Sequence, residues 1–325
     1  MKNSVKIFTK AVLLLLLVAA ALPQLVKAQQ SNAKILPEPG YYNMQIGDLP
    51  VTVLSDGTNP LPLGTLLLNA KPGQLKNSFA SNFLNTTVDA SDNAFLIRTG
   101  GKLILVDAGC GDLLGPSFGQ LTKSLQNAGV QPGQINAVLL THMHPDHCGG
   151  LMRNGKMVFP NATVYFAKAE GAFWLSEEHL KNAPAAFKAY FQNAQNSVLP
   201  YVKAGKTVTF NPGEKLFPGI TTVGTPGHTP GHTSYAIESN GEKLLILGDL
   251  VHAAAVQFAD PDIAISFDSD PKQAVITRKR IFNDAAKGKY LIAGEHLSFP
   301  GVGHLKVKGN GYEFVPANYT TLVSK

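Results

Sequence analysis

Within the seven residues Thr141-His142-Met143-His144-Pro145-Asp146-His147 stand three imidazoles and a carboxylate. They follow the apolar run Ala137-Val138-Leu139-Leu140, which reads as a buried strand, and Gly149-Gly150 reads as a turn into the next element. Packing gives no reason to gather such groups at one strand end. Metal chemistry does, because neutral imidazole and carboxylate are the groups that bind zinc and its divalent neighbours.

A metal site needs further ligands, and the second half of the chain offers them in the same way. The segment Thr225-Pro226-Gly227-His228-Thr229-Pro230-Gly231-His232 follows an expected strand at residues 220–223. Its glycines and prolines let backbone approach a site closely and fix the loop. Leu245-Ile246-Leu247-Gly248-Asp249 delivers a carboxylate at the end of an apolar strand, and Ile292-Ala293-Gly294-Glu295-His296 delivers another histidine. The other histidines divide: His232 and His304 read as structural hydrogen-bonding groups, His179 as a surface residue, and His252 as a residue facing the cavity.

The elements that position these groups follow from hydrophobic spacing. Residues 41–55 have strand character with Asp56-Gly57 as a turn, and residues 59–85, with three prolines, read as a long loop able to drape over a site. Residues 94–98 and 102–107 make a hairpin that ends in Asp107. Helices are expected at 118–128, 167–175, 184–198 and 271–287, and further strands at 163–166, 207–210, 234–238, 243–247, 290–293 and 312–315. No phosphate-binding glycine loop accompanies them. The order fits an α/β fold of two sheets packed face to face with helices outside.

The first 28 residues stand apart. Lys2, Lys6 and Lys10 precede an apolar stretch at residues 11–22, and Val26-Lys27-Ala28 resembles a peptidase site, so export with cleavage after Ala28 is expected. The apolar stretch is shorter than the roughly 20 residues a membrane span needs, and no cysteine follows it for a lipid anchor. The segment holds four lysines and no acid, and so accounts for four of the six net positive charges. The remainder has no basic cluster, and nucleic acid is not implied. Residues 29–325 read as one domain, its first eleven residues a polar arm. Cys110 and Cys148 make no disulfide framework, which leaves packing thiols, a single bridge, or groups supporting the site.

The ordered set of His-x-His-x-Asp-His, Gly-His, Gly-Asp and a late strand-end histidine, over residues 94–296, resembles the metallo-β-lactamase superfamily. The resemblance implies a four-layer αβ/βα sandwich of two mixed β-sheets with outer helices. It assigns His142, His144 and His228 to a first metal, Asp146, His147 and His296 to a second, and Asp249 to a bridge between them. Asp107 would orient the ligands and the motif backbone. Water shared between two such ions is a nucleophile near neutral pH, which means hydrolysis of a carbonyl or phosphoryl centre. Zinc is the expected metal, although the donors also suit manganese, cobalt or iron.

Gly40-Tyr41-Tyr42, Phe173-Trp174-Leu175-Ser176, Pro200-Tyr201-Val202-Lys203-Ala204-Gly205, Pro300-Gly301-Val302-Gly303-His304 and the segment from Gly311 to Tyr319 narrow the likeness to the methyl parathion hydrolase group. That group includes phosphotriesterases, lactonases and aryl esterases, often dimeric. It implies a substrate pocket of Leu114, Trp174, Phe191, His252, Ile265 and Phe267. Bulk at His252, Ile265 and Phe267 favours a planar lactone or aryl ester over a tetrahedral phosphotriester. Asp146, Asp249 and His252 are the expected catalytic groups, His252 as a proton donor. A principal phosphotriesterase and a non-catalytic periplasmic metal-binding protein are the alternatives.

Overall fold

The structure is a computed structural model that describes residues 38–320. The proposed signal segment lies outside the described residues, as does most of the arm that follows it. Two seven-stranded sheets dominate. The first runs in chain order through β1 (Tyr41–Ile46), β2 (Leu49–Leu61), β3 (Val88–Thr99), β4 (Lys102–Val106), β5 (Ala137–Leu139), β6 (Thr163–Ala167) and β7 (Thr207–Phe210). Its first three joins are antiparallel and its last three parallel. The second sheet also keeps chain order: β8 (Lys215–Phe217), β9 (Ile220–Gly224), β10 (Thr233–Ser239), β11 (Glu242–Ile246), β12 (Leu291–Ala293), β13 (Val302–Lys308) and β14 (Gly311–Pro316). Only β11 and β12 pair in parallel there.

Side-chain alternation builds the layers. Phe95 and Ile97 of β3 and Ile104 and Val106 of β4 meet Tyr235, Ile237, Leu244 and Ile246 of β10 and β11 between the sheets. The alternate residues Ala94, Leu96 and Leu105 turn outward to helices α1 (Leu121–Asn127) and α3 (Ala185–Lys203). On the far side, Ala236, Leu245 and Ile292 pack on α4 (Pro271–Gly288) through Ile281, Phe282 and Ala285. Both faces of the central strands are therefore buried, which is why they read as continuous apolar runs. Each buried Val, Leu, Ile or Phe side chain among them contributes about 1.5–3 kcal/mol by leaving water. This is the expected four-layer arrangement. No helix of the described residues is long and apolar enough to cross a membrane.

Several local expectations need correction. Residues 41–55 form a hairpin that turns at Gly47-Asp48. Asp56-Gly57 is a bulge inside β2, with Asp56 buried, because the strand continues to Leu61. The long loop holds helical turns at Leu63–Leu66 and a helix at Gln74–Ser81, and Leu67–Leu68 pairs with Ala264–Ile265. Its leucines show no single period because Leu63 and Leu67 serve different short elements, in one cluster with Phe79, Val256 and Ile265. Strands β8 and β13 went unread. Along β13 the alternation ends in the exposed run Lys306-Val307-Lys308, and His304 is exposed on it rather than buried in a structural contact.

Candidate metal centre

Ligand-type side chains leave the strands at one end of the sandwich: Asp107 after β4, His142 to His147 after β5, His228 after β9, Asp249 after β11 and His296 after β12. Two sets form. Donor atoms of His142, His144, His228 and Asp249 lie within 4.8 Å of one another, as do those of Asp146, His147, Asp249 and His296. Asp249 is common to both. Its Oδ2 lies 3.6 Å from His142 Nε2 and 3.2 Å from His228 Nε2, its Oδ1 lies 3.2 Å from His147 Nε2, and His296 Nε2 lies 3.2 Å from Oδ1 and 3.3 Å from Oδ2.

The buried ring nitrogens His142 Nε2, His144 Nε2 and His147 Nε2 and the oxygen Asp249 Oδ1 have no hydrogen-bond partner. Buried polar atoms are normally paired, so this concentration of orphans is what a site built for cations looks like. For His142 and His147 the opposite ring nitrogen is engaged, which aims the free Nε2 inward, whereas His144 turns its Nδ1 toward His228 Nε2 at 3.0 Å. His147 Nδ1 meets Asp107 Oδ2 at 2.8 Å, His228 Nδ1 meets Asp268 Oδ1 at 2.8 Å, and His296 Nδ1 meets the Ser91 carbonyl at 3.0 Å. The donors present suit two divalent ions.

Electrostatics point the same way. Burial, with neighbouring imidazoles adding, holds His142 and His144 well below the usual histidine range. Burial also opposes charge on His228 and His296, but Asp249, joined by Asp268 and Asp146 respectively, outweighs it and pushes them up to about 9 and about 10. Burial likewise opposes ionisation of Asp249, yet the ring of imidazoles holds its carboxyl well below the carboxylate range.

The supporting groups are as ordered as the ligands. Asp107 sits at φ +59, a sparsely populated conformation, and its oxygens accept from Thr141 N–H at 2.8 Å and Thr141 Oγ1 at 2.7 Å. His232 is structural: its Nε2 accepts the Asp249 N–H at 2.9 Å while Nδ1 lies 3.1 Å from the Thr225 carbonyl. Gly248 beside it is required, since a Cβ there would fall 2.4 Å from His232 Nε2. Glu170 on α2 (Lys168–Trp174) joins the two ligand loops. Its Oε1 accepts from Met143 N–H at 2.9 Å, and its Oε2 accepts from Thr229 Oγ1 at 2.8 Å and Gly231 N–H at 2.9 Å. From α4, buried Arg278 donates to the carbonyls of Leu250, Pro261 and Ile263 and so fixes the segment beyond Asp249.

A cavity of about 290 Å³ opens on both donor sets. Leu114, His252 and Phe267 line it as the resemblance implied, together with Leu61, Phe118 and Tyr190. Ile265 does not: it is fully buried in the cluster beneath Leu63 and Leu67. Trp174 and Phe191 are buried and border a neighbouring apolar pocket with Phe173 and Phe187, rather than this cavity. Their rings back the site instead, with Trp174 centred 5.2 Å from His144 and 4.6 Å from Phe191. His252 places Nε2 3.1 Å from Asp249 Oδ2 and stacks on His296, leaving Nδ1 unpartnered. Cys110 and Cys148 are both buried and free.

Comparison with known proteins matches the model of the Metallo-beta-lactamase superfamily to residues 89–294. The chain belongs to this superfamily. Within it, the crystal structure of the hydrolase AbOPH of the beta lactamase superfamily is 36% identical, with a TM-score of 0.83 over 88% of this chain and 100% of that one. AidC, a dizinc quorum-quenching lactonase solved with a product N-hexanoyl-L-homoserine, is 32% identical, with a TM-score of 0.81 over 87% of this chain and 99% of that one. An N-acyl homoserine lactonase of Bacillus cereus is 27% identical over 178 residues, or 54% of this chain; the match spans 62% of that lactonase. The residues that the superfamily motifs single out are thus the ones the structure gathers into the two donor sets. Asp268, Glu170, Arg278, Phe118 and Tyr190 escaped the sequence reading, because no local pattern marks a residue whose role is to touch a distant loop.

Proposed function

We propose that this chain is a dinuclear metal-dependent hydrolase of lactones and aryl esters, with phosphotriester cleavage as a secondary reaction. The observation that carries the reading is Asp249, a carboxylate shared by two donor sets beneath one largely apolar cavity. Two divalent ions, zinc first among them, would be held by His142, His144 and His228, by Asp146, His147 and His296, and by Asp249 between. Ions held there would supply Lewis-acid activation of water and of the substrate oxygen.

The chain's own groups do the rest. Asp107, Asp268 and the Ser91 carbonyl hold three imidazoles in the tautomer that offers Nε2. Phe118 and Phe267 offer flat apolar surface to an acyl or aryl group, and Leu114 adds aliphatic surface at the cavity rim. Tyr190 contributes a phenol kept protonated by burial and by Asp146, and so able to donate to a substrate oxygen. His252 adjoins the bridging carboxylate and borders the cavity, where a proton could reach a leaving oxygen.

The preference for planar substrates now rests on His252, Phe267, Phe118 and Tyr190, with Ile265 removed from the argument. Similarity to a dizinc lactonase and to N-acyl homoserine lactonases supports the lactone arm. A kinetic panel of an acyl-homoserine lactone, an aromatic lactone, an aryl ester and a phosphotriester on zinc-loaded protein tests it. The lactone or aryl ester should give the highest kcat/KM. A dominant phosphotriester would reverse the preference, and no turnover of any would favour a metal-binding protein. The reading extends to an exported homodimer cleaved after Ala28, testable by mass of the secreted chain and by light scattering.

A further inference from the structure

A third cluster lies outside the two donor sets. Asp56 comes from the bulge in β2, Asp92 from β3, and Cys110 from the turn after β4. All three are buried, and one donor atom from each lies within 4.8 Å of the others. Asp92 is 2% exposed, and its Oδ2 has no hydrogen-bond partner. The Cys110 thiol makes a long 3.5 Å contact to the Gly111 carbonyl and hydrogen-bonds to the Asp56 carboxylate, which places sulfur and carboxylate side by side. Burial and the neighbouring carboxylates push both groups up, Asp92 under Asp56 and Asp146, and Cys110 under Asp56 and Asp92. Three buried acids that repel one another's charge are stabilised together by one cation.

We propose that Asp56, Asp92 and Cys110 form a third metal site, for a thiophilic divalent ion of the zinc type. Sulfur with two carboxylates selects such an ion over magnesium or calcium. With three protein ligands, a fourth position is left for water. The location gives the ion a task. Asp56 Oδ2 accepts from Cys110 N–H at 2.9 Å and Gly119 N–H at 3.2 Å, and Oδ1 accepts from Leu121 N–H at 2.8 Å. Both ends of the loop at residues 110–121 are therefore tied to this carboxylate. That loop has little regular structure and carries Leu114 and Phe118 of the cavity wall. An ion at its root fixes the wall without entering the reaction.

Cobalt titration of the metal-free full chain tests the proposal. The two hydrolytic donor sets contain no sulfur, so a near-ultraviolet thiolate-to-cobalt charge-transfer band reports a cysteine ligand. The band should grow with a third equivalent of Co²⁺, persist in Cys148→Ser and vanish in Cys110→Ser, and Asp92→Asn should weaken that step at least ~10-fold. Since the chain has only two cysteines, persistence in Cys148→Ser assigns the ligand even where Cys110→Ser does not fold. Saturation at two equivalents without the band would overturn the site and leave a proton shared among the three groups. So would a band that follows Cys148. Hydrolysis in the substrate panel is read separately, so failure here leaves the proposed function standing.

Discussion

Replacing Glu170 by Gln separates two contributions that this residue makes in opposite directions. Its carboxylate braces the His142–His144 loop against the His228 loop through three donors. Burial, opposed by the hydrogen bonds from Thr229, Met143 and Gly231, still pushes its pKa from 4.5 to about 7. A carboxyl raised that far contributes stability that is fully present below its unfolded pKa and lost as pH rises through the folded one. The loss amounts to about 3 kcal/mol, complete above neutrality. Glutamine keeps the shape and removes the titration. It also turns an N–H toward the Gly231 N–H, leaving a buried donor unmade at about 1–3 kcal/mol. Near pH 8 the two effects nearly cancel, whereas near pH 5 only the penalty remains. Denaturant melts of metal-free protein from pH 5 to pH 9 should show Glu170→Gln less stable at acid pH and close to wild type at alkaline pH. A stability difference that does not vary with pH would refute the reasoning and mean that Glu170 stays ionised throughout.

Other perturbations address the donor sets and the cavity. Asp249→Ala should lower metal content and turnover together, measured by elemental analysis beside kinetics; full activity with one ion per chain would refute the bridge. Asp268→Ala leaves His228 Nδ1 without its partner at 2.8 Å, and should weaken the first-set metal 10–100-fold in a chelator competition while sparing the second set. Phe267→Ala removes an aromatic wall worth about 0.5–1.5 kcal/mol and should cut aryl-ester kcat/KM up to roughly tenfold, with less effect on a phosphotriester. His252→Ala, tested on esters of graded leaving-group pKa, should harm poor leaving groups most if it donates the proton. Equal losses across the series would leave it only a neighbour of Asp249.

The donor-type residues were legible because they follow strand ends, which local spacing announces, while their division into two metal sets came from the superfamily resemblance. The layered architecture was legible for the same reason. Burial on two faces makes the central strands uniformly apolar, and helices α3 and α4 keep a strong period. What escaped was everything that acts across the chain. Glu170 lies on an unremarkable helix until Gly231 N–H and Met143 N–H arrive from opposite halves of the protein. Asp268 stands in a run of serines and aspartates that reads as a loop, and only its 2.8 Å contact with His228 gives it a role. Ile265 erred in the other direction: its position along the chain suggested the cavity, but pairing with Leu67 turned it into a core. Asp56 is the sharpest case. An Asp-Gly pair reads as a surface turn, yet a bulge in a thirteen-residue strand buries the carboxylate where three backbone N–H groups converge on it. Residues suited to hold metal announce themselves by type and spacing. Those that hold the ligand loops in place are specified by contacts that exist only once both sheets have packed, so the geometry of hydrolysis is a property of the sandwich rather than of the motif.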